Sequence, residues 1–224
     1  MSRYALGIDI GGTFTDVVLY DREQGRRLTR KALTTPGDPA EAVLDAVDQV
    51  LRDEAIPSGE VERVVHATTL FTNALIEHKG ARTALLTTDG FRDSLEIGRE
   101  RKYDLYDLAA KKPRPLVARD LRFEAQERIL ADGRILTPLN SDALADIAAA
   151  LQAADVTSLA IVFLHSYRND THERAAGARI EELLPDLAIS LSSDVAPEIR
   201  EFERASTTVA NAYVKPLAEN YLDS

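Results

Sequence analysis

Gly7-Ile8-Asp9-Ile10-Gly11-Gly12-Thr13-Phe14-Thr15-Asp16 brings an acid, paired glycines and two threonine hydroxyls into one reversal of the chain. Tyr4, Leu6 and Ile8 alternate with Ala5 and Gly7 in the manner of a buried strand, and Asp9 breaks the apolar run where that strand should end. The carboxylate is therefore expected at a strand tip. Gly11 and Gly12 are expected to take positive φ and to let the backbone approach a ligand without a Cβ collision, while Thr13 and Thr15 add hydroxyl donors for anionic oxygen. Bare Asp and phosphate repel, so a carboxylate beside phosphate implies an intervening Mg2+. A plain Gly-Gly hairpin would have no use for so many polar groups at the end of an apolar strand. The stretch reads as a phosphate cradle.

No Walker-type Gly-Lys-Ser/Thr ending and no G-x-G-x-x-G follow any strand, which leaves mononucleotide binding of the actin and sugar-kinase type. Working outward, Phe14 to Tyr20 and Arg27 to Leu33 read as two further strands around Gly25. Ala40, Val43, Leu44, Val47, Val50 and Leu51 recur at helical spacing behind Asp38 as cap and Pro39 at the first helical position. Val61 to Ala67 reads as a buried strand, Leu70 to His78 as a short helix closed by Gly80, and Thr83 to Thr87 as another strand. The resulting β-β-β-α-β-α-β order predicts the ribonuclease-H-like half of the actin, Hsp70 and sugar-kinase-like α/β fold over residues 1–90, with an additional α/β region further on.

Residues 91–138 read as an irregular connection with charged clusters, able to serve as lid or linker, followed by a hairpin around Asp132-Gly133 between Arg122–Leu130 and Arg134–Leu136. Residues 139–224 form the second α/β region, expected to be truncated at its end. It holds a helix through Leu144, Ile147, Ala148 and Leu151, and a strand over Leu159–Leu164 apolar on both faces. A helix opened by an Asp170-x-x-Glu173 capping box follows, then a strand at Leu187–Leu191 and a helix at Ser206–Leu222 with Pro216 inside it.

Composition limits the function classes. The 224 residues are 45% hydrophobic and 29% charged, enough for true cores. A formal charge of −10 argues against nucleic acid as a partner, because no basic surplus is present to displace counterions. The longest apolar run, Leu159 to Leu164, is far short of the roughly 20 residues a membrane span needs. No secretory core is present either, so a cytoplasmic protein without membrane association is expected. The absence of cysteine excludes disulfide and thiolate chemistry, and the histidines at 66, 78, 165 and 172 form no zinc motif.

Beyond the opening turn, several separated blocks carry a more specific pattern. They are Thr68-Thr69-Leu70-Phe71-Thr72-Asn73-Ala74-Leu75-Ile76-Glu77, Thr87-Thr88-Asp89-Gly90-Phe91-Arg92-Asp93, Leu95-Glu96-Ile97-Gly98-Arg99, Leu164-His165-Ser166-Tyr167 and the long run from Ser192 to Val214. With them the chain resembles the amino-terminal part of the hydantoinase A, 5-oxoprolinase and acetone carboxylase β-subunit family. One departure is His66-Ala67 before the paired threonines, where relatives often have glycine. The resemblance implies a fragment of a longer enzyme whose second phosphate loop and adenosine pocket lie further along, so that the isolated fragment should be inactive.

The chemistry implied is ATP-dependent, with Mg2+: phosphorylation of a lactam or imide carbonyl ahead of hydrolytic ring opening. The alternatives are an ATP-dependent, acetone-type ketone carboxylase subunit and a non-catalytic nucleotide-binding or assembly module. Implied partners are a small cyclic amide or ketone and a hydantoinase B-type subunit or domain, with room for a homo-oligomer. On this resemblance Asp9 holds Mg2+ through water, Gly11, Gly12, Thr13 and Thr15 bind phosphate, and Asp16 orders the turn or contacts metal, Asp9 and Asp16 being the catalytic pair.

Substrate contacts are expected from five further residues, each with a plainer reading beside it. Thr68, Thr69 and Asn73 sit between a strand end and a helix start, where backbone N–H groups favour an anion or a carbonyl oxygen; a threonine N-cap is the plain alternative. Arg99, with Arg101 nearby, is either a carboxylate clamp or part of a solvated charge run. His165 follows a buried strand at its carboxyl end, where open α/β sheets bind ligands, or is a satisfied structural histidine. Glu198, Arg200, Glu201, Glu203 and Arg204 read as helix-surface ion pairs and an interface.

Overall fold

A computed structural model describes residues 3–35, 39–99, 106, 107, 109 and 113–223. Asp38, Arg101 and most of the charged middle clusters lie outside the described residues. The chain divides into two compact units, Met1–Lys79 with Leu217–Ser224, and Gly80–Pro216.

The first unit is built on β1 (Tyr4–Ile10), β2 (Phe14–Asp21), β3 (Arg26–Leu33) and β4 (Val61–Thr68), in the sheet order β3-β2-β1-β4. β1, β2 and β3 are antiparallel neighbours and β4 runs parallel to β1. This is the ribonuclease-H-like arrangement expected from the element order. Tyr4, Leu6, Ile8 and Ile10 of β1 and Val17 and Leu19 of β2 are buried, each contributing about 1.5–3 kcal/mol for a fully buried large side chain. They pack against α1 (Pro39–Asp53) through Val43, Ala46, Val47, Val50 and Leu51. Leu44, one step round the helix, is 64% exposed and outside that contact. A short 3-10 turn (Ser58–Glu60) leads into β4, and α2 (Leu70–Ile76) follows it.

β4 differs from expectation. It is not buried: Val64 and Val65 are 59% and 50% exposed, because β4 is the outer strand of its sheet with only β1 beside it among the described residues. Tyr221, near the chain's end, packs edge-on to Phe71, and its hydroxyl lies 2.5 Å from His66 Nε2 on β4.

In the second unit the sheet order is β10-β9-β5-β6, formed by β5 (Thr83–Thr88), β6 (Arg122–Ala125), β9 (Ser158–Val162) and β10 (Ala188–Leu191), all parallel. Every residue of β5 and β9 is buried, as two-sided cover of a parallel sheet demands. That cover includes α4 (Ala143–Ala153), α5 (Thr171–Leu183) and the Ala205, Val209 and Ala212 side of α7 (Glu201–Asp223). α3 (Ser94–Ile97) and α6 (Ser192–Val195) are single turns that follow β5 and β10.

Three expectations change here. The Thr83–Thr87 strand belongs to this sheet and not to the first, since both of its neighbours, β6 and β9, are here. The Arg122–Leu130 run splits: Arg122–Ala125 pairs with β5, and only β7 (Arg128–Ile129) forms the hairpin with β8 (Ile135–Thr137). The Asp170-x-x-Glu173 capping box does not form. Asp170 makes no side-chain cap, Asn169 Oδ1 accepts from the Thr171 N–H instead, and Glu173 turns inward to the strand tips.

Pro216 sits inside α7 and cannot donate to the carbonyl four residues back. That carbonyl, Ala212 O, accepts the Ser158 hydroxyl at 2.6 Å, so the missing bond is replaced from β9. Among the described residues no helix is long and apolar enough to cross a membrane.

Candidate functional site

The turn from Ile10 to Thr15 is closed by Gly11 N–H donating to Phe14 O at 2.9 Å. Neither Gly11 nor Gly12 holds a positive φ, contrary to expectation. Their need for glycine comes from close approach. A Cβ on Gly11 would lie 3.1 Å from Phe14 O, and one on Gly12 would lie 3.1 Å from Asn73 Nδ2. Asn73 of α2 therefore lies against the turn. The N–H groups of Gly12 and Thr13 bond to no described residue, and the Thr13 side chain is exposed.

Thr34, which sequence reading passed over, braces the turn. Its N–H donates to Thr13 O at 3.0 Å and its hydroxyl to Gly11 O at 2.9 Å. Thr34 is also the partner of Thr15, whose hydroxyl is 3.0 Å away. Thr15 is fully buried, because strand alternation sends it to the α1 side with Val17 and Leu19. This corrects its expected role, since that hydroxyl is not presented to a ligand. The signal available in the sequence was the same alternation that identified β2.

Asp9 and Asp16 are directly opposed in the β1–β2 register, so both carboxylates leave the same face of the sheet. Asp16 meets Lys31 at 3.1 Å, and Lys31 is its register partner on β3. The carboxylate of Asp9, exposed, has no hydrogen bond or ion pair among the described residues. Like charges opposed across a strand pair repel, so the arrangement favours a cation beside them. No group of three or more metal-binding side chains occurs among the described residues. The donor set still fits Mg2+, which characteristically takes one or two carboxylates and fills its octahedron with water and phosphate oxygen.

Thr68 and Thr69 flank the same strand tips. The Thr68 hydroxyl donates to Ile10 O and accepts from Leu70 N–H, both at 3.1 Å, and Thr69 N–H donates to Ile10 O. Thr69 makes no side-chain cap to α2, and its side chain is exposed. Asp9, Gly11, Gly12, Thr13, Thr68, Thr69 and Asn73 thus gather where β1 and β4 end and α2 begins.

Arg99 and His165 belong to the second unit. Arg99 is exposed and donates to Glu203 Oε1 at 2.7 Å. Glu203 is held below the ordinary carboxylate range by its own backbone N–H and by Arg99, against the opposing effect of burial. His165 follows β9 in left-handed backbone, φ 57°, half-buried, with its ring 6.0 Å from and edge-on to that of Tyr167. Its imidazole has no hydrogen bond among the described residues.

Beneath His165 lies a polar network with almost no solvent exposure. Glu173 Oε1 accepts from Phe163 N–H at 2.8 Å and from the Ser192 hydroxyl at 2.6 Å, and its Oε2 accepts from Ser193 N–H at 2.9 Å. Arg204 lies opposite, 3.6 Å from Glu173, with Nη2 donating to Phe163 O at 2.5 Å and to the hydroxyls of Ser166 and Ser192. Burial pulls the Arg204 guanidinium pKa down and Glu173 raises it. Alongside, Thr88 donates to Glu127, whose other oxygen is 2.7 Å from His172 Nδ1, and Thr88 Oγ1 accepts Leu164 N–H at 3.0 Å. The network joins segments at the carboxyl ends of β5, β6, β9 and β10, where parallel sheets place ligand-binding loops. The structure thus buries Arg204, where its sequence context predicts a surface ion pair. Its burial depends on which face of α7 meets the sheet, and alternating charges do not reveal that.

Fold and turn together define an α/β protein with a ribonuclease-H-like sheet and a glycine turn at its strand tips. By sequence, residues 5–184 match the hydantoinase/oxoprolinase N-terminal region, and the chain belongs to this family. It is 38% identical to the caprolactamase subunit alpha of Pseudomonas jessenii over 99% of this chain and 32% of that subunit. It is 32% identical to 5-oxoprolinase of Saccharomyces cerevisiae, over 98% of this chain and 20% of that protein. The nucleotide-free structure of acetone carboxylase superimposes with a TM-score of 0.88 at 27% identity, covering 100% of this chain and 34% of that chain. The chain therefore spans about a third or less of the length of these relatives.

Proposed function

We propose that this chain supplies the phosphate-binding wall of an ATP-dependent enzyme that activates the carbonyl of a cyclic amide for ring opening. The observation that carries this reading is the pair of N–H groups at Gly12 and Thr13, set beside the Asp9 carboxylate, none of which has a partner among the described residues. Donors and a carboxylate at one turn suit a phosphate chain neutralised by a divalent cation. Asp9, with Asp16 beside it, would hold Mg2+, which supplies charge neutralisation on phosphate oxygens. Gly12 and Thr13 orient those oxygens, Thr34 holds the turn in shape, and Asn73 fixes Gly12.

A lactam carbonyl is a poor electrophile. Transfer of the terminal phosphoryl group forms a new P–O bond to the carbonyl oxygen as the bond to ADP breaks. Water then adds to the carbon and the ring C–N bond breaks with the amine leaving, which gives an acyl phosphate; a second water attacks that acyl carbon and releases the original oxygen as phosphate, leaving the carboxylate. Catalysis of the transfer rests on positioning and electrostatics. His165 and Arg99 are the groups of the second unit proposed to meet the substrate, and a complementary subunit or domain is the proposed partner. The greater identity to a caprolactamase than to acetone carboxylase favours the cyclic amide. A ketone carboxylase is the second reading, carried by the acetone carboxylase superposition.

The test is ADP release by the full-length protein with its partner subunit, challenged with caprolactam, 5-oxoproline or hydantoin, and separately with acetone or acetophenone plus bicarbonate. Stimulation by a lactam without bicarbonate is expected, and Asp9→Asn should abolish it with the fold intact. Stimulation only by a ketone with bicarbonate moves the protein to the carboxylases. No turnover with any of them refutes the enzymatic reading and leaves an assembly module.

A further inference from the structure

We infer that Arg204 is a positioning residue that fixes the His165 imidazole by clasping the turn that carries it; the functional consequence rests on the proposal above that His165 meets the substrate. One guanidinium touches both flanks of this histidine. On the amino side Arg204 Nη2 donates to Phe163 O, on the carboxyl side it donates to the Ser166 hydroxyl, and its guanidinium carbon lies 5.7 Å from the centre of the Tyr167 ring. Tyr167 in turn meets the His165 ring edge-on. Between these anchors His165 holds φ 57°, a conformation that residues with a Cβ adopt rarely and keep only when their surroundings impose it. The carbonyl of His165 is secured by the N–H groups of Arg168 and Asn169 at 2.8 and 3.2 Å, yet its imidazole bonds to no described residue. The backbone is thus fixed on every side while the ring stays free to meet another group.

Anchoring the turn alone would not require a cation. Arg204 is only 2% exposed, its Nε has no hydrogen-bond partner among the described residues, and its charge is kept in the interior by Glu173, itself fully buried. Burying an ion pair is seldom a route to stability; here it places one nitrogen, Nη2, among the Phe163 carbonyl and the Ser166 and Ser192 hydroxyls. The acceptors gathered here come from segments following β9 and β10, so the clasp also sets where the His165 turn lies on the sheet.

The test uses the full-length protein and pH-resolved diethylpyrocarbonate labelling, read residue by residue by mass spectrometry, with the exposed His66 and His78 as internal controls. Arg204→Met combined with Glu173→Gln keeps the interior neutral. It should change His165 labelling by about fivefold or more while His66 and His78 label as in the parent, and raise KM for the stimulating lactam by roughly tenfold. Arg204→Lys, which keeps the charge and carries three donors, should return both readouts to within about twofold of the parent. Unchanged His165 labelling in the folded double variant overturns the proposal, as does a lysine variant no closer to the parent than methionine. If the double variant does not fold, Ser166→Ala removes one arm of the clasp with the ion pair intact; about a twofold labelling change supports the proposal and none overturns it. His165→Gln separates the two ideas: an unchanged KM there refutes the substrate role of His165 and leaves the labelling test of the clasp standing.

Discussion

Replacing Glu173 tests how the strand tips of the second unit are held. Its carboxylate accepts two backbone N–H groups, from Phe163 and Ser193, and the Ser192 hydroxyl, and it faces the Arg204 guanidinium at 3.6 Å. Glu173→Ala strands a buried cation, for which loss of a partner costs about 3–5 kcal/mol. Each backbone donor left dry adds about 1–3 kcal/mol unless water enters the space vacated. Taking the lower ends, a local loss of about 5 kcal/mol is expected, or roughly three and a half decades in the opening equilibrium at 1.4 kcal/mol per decade. Glu173→Gln removes the same charge but keeps one carbonyl acceptor and the shape, so a smaller loss, about 4 kcal/mol, is expected. Amide hydrogen exchange on the full-length protein reads this directly, because it reports local opening in a chain with no single unfolding transition. Peptides covering 159–166 and 188–195 should lose protection in the order parent, Gln, Ala, with peptides of β1 and β2 unchanged. Parent-like protection of Phe163 and Ser193 in Glu173→Ala would refute the reasoning, because their donors would then not depend on the carboxylate.

Gly12→Ala should cost little stability, under about 1 kcal/mol, because Asn73 Nδ2 can shift by a few tenths of an ångström, yet it should weaken ATP binding about tenfold or more by displacing the N–H pair; paired melting and nucleotide titrations check this. Gly80→Ala should be far more damaging, by about 3 kcal/mol or more, since its Cβ would fall 2.1 Å from two Tyr213 ring carbons and 2.6 Å from Tyr213 O. Tyr213→Ala should not restore it, because the carbonyl clash persists, and soluble yield and melting temperature report both variants. Asp21, hydrogen-bonded to Arg3, is held at about 2, below its ordinary 3.8. Its folded pKa is depressed, so the associated stability is present above about pH 4 and is lost as pH falls toward 2. Arg3→Met should reduce that part of the acid dependence, with the Glu23 and Gln24 N–H groups still holding the carboxylate, seen as a flatter melting temperature between pH 5 and pH 2.5.

The first sheet was legible because its signals are local. Leu6, Ile8, Val17 and Leu19 alternate in sequence as they do in burial, and Pro39 does open the helix that covers them. Sheet membership was not local. Thr83–Thr88 carries the same apolar character whichever sheet it joins, and only its pairing with β6 and β9 decides. Val64 and Val65 show the converse case, since β-branched residues mark a strand but not its cover. At the glycine turn the chemistry was readable and the reason for glycine was not, because a close approach by Asn73, distant in sequence, leaves no trace in the turn itself. Glu173 fitted a capping pattern by spacing, yet its carboxylate is taken by Phe163, Ser192 and Ser193, contacts that no local window contains.

The Glu173 and Arg204 pair also constrains how this protein can change over generations. Each is answered by groups from separate segments, so no neighbouring substitution can absorb the loss of either, and exchanging both at once is the readiest passage to a neutral interior. Lineages that alter one position should thus carry the matching change at the other, while exposed Arg99 and half-buried Glu203 on the same unit drift with far less penalty. On the proposal that His165 meets the substrate, a designer seeking a new one would vary the turn around His165 and leave the ion pair beneath it alone.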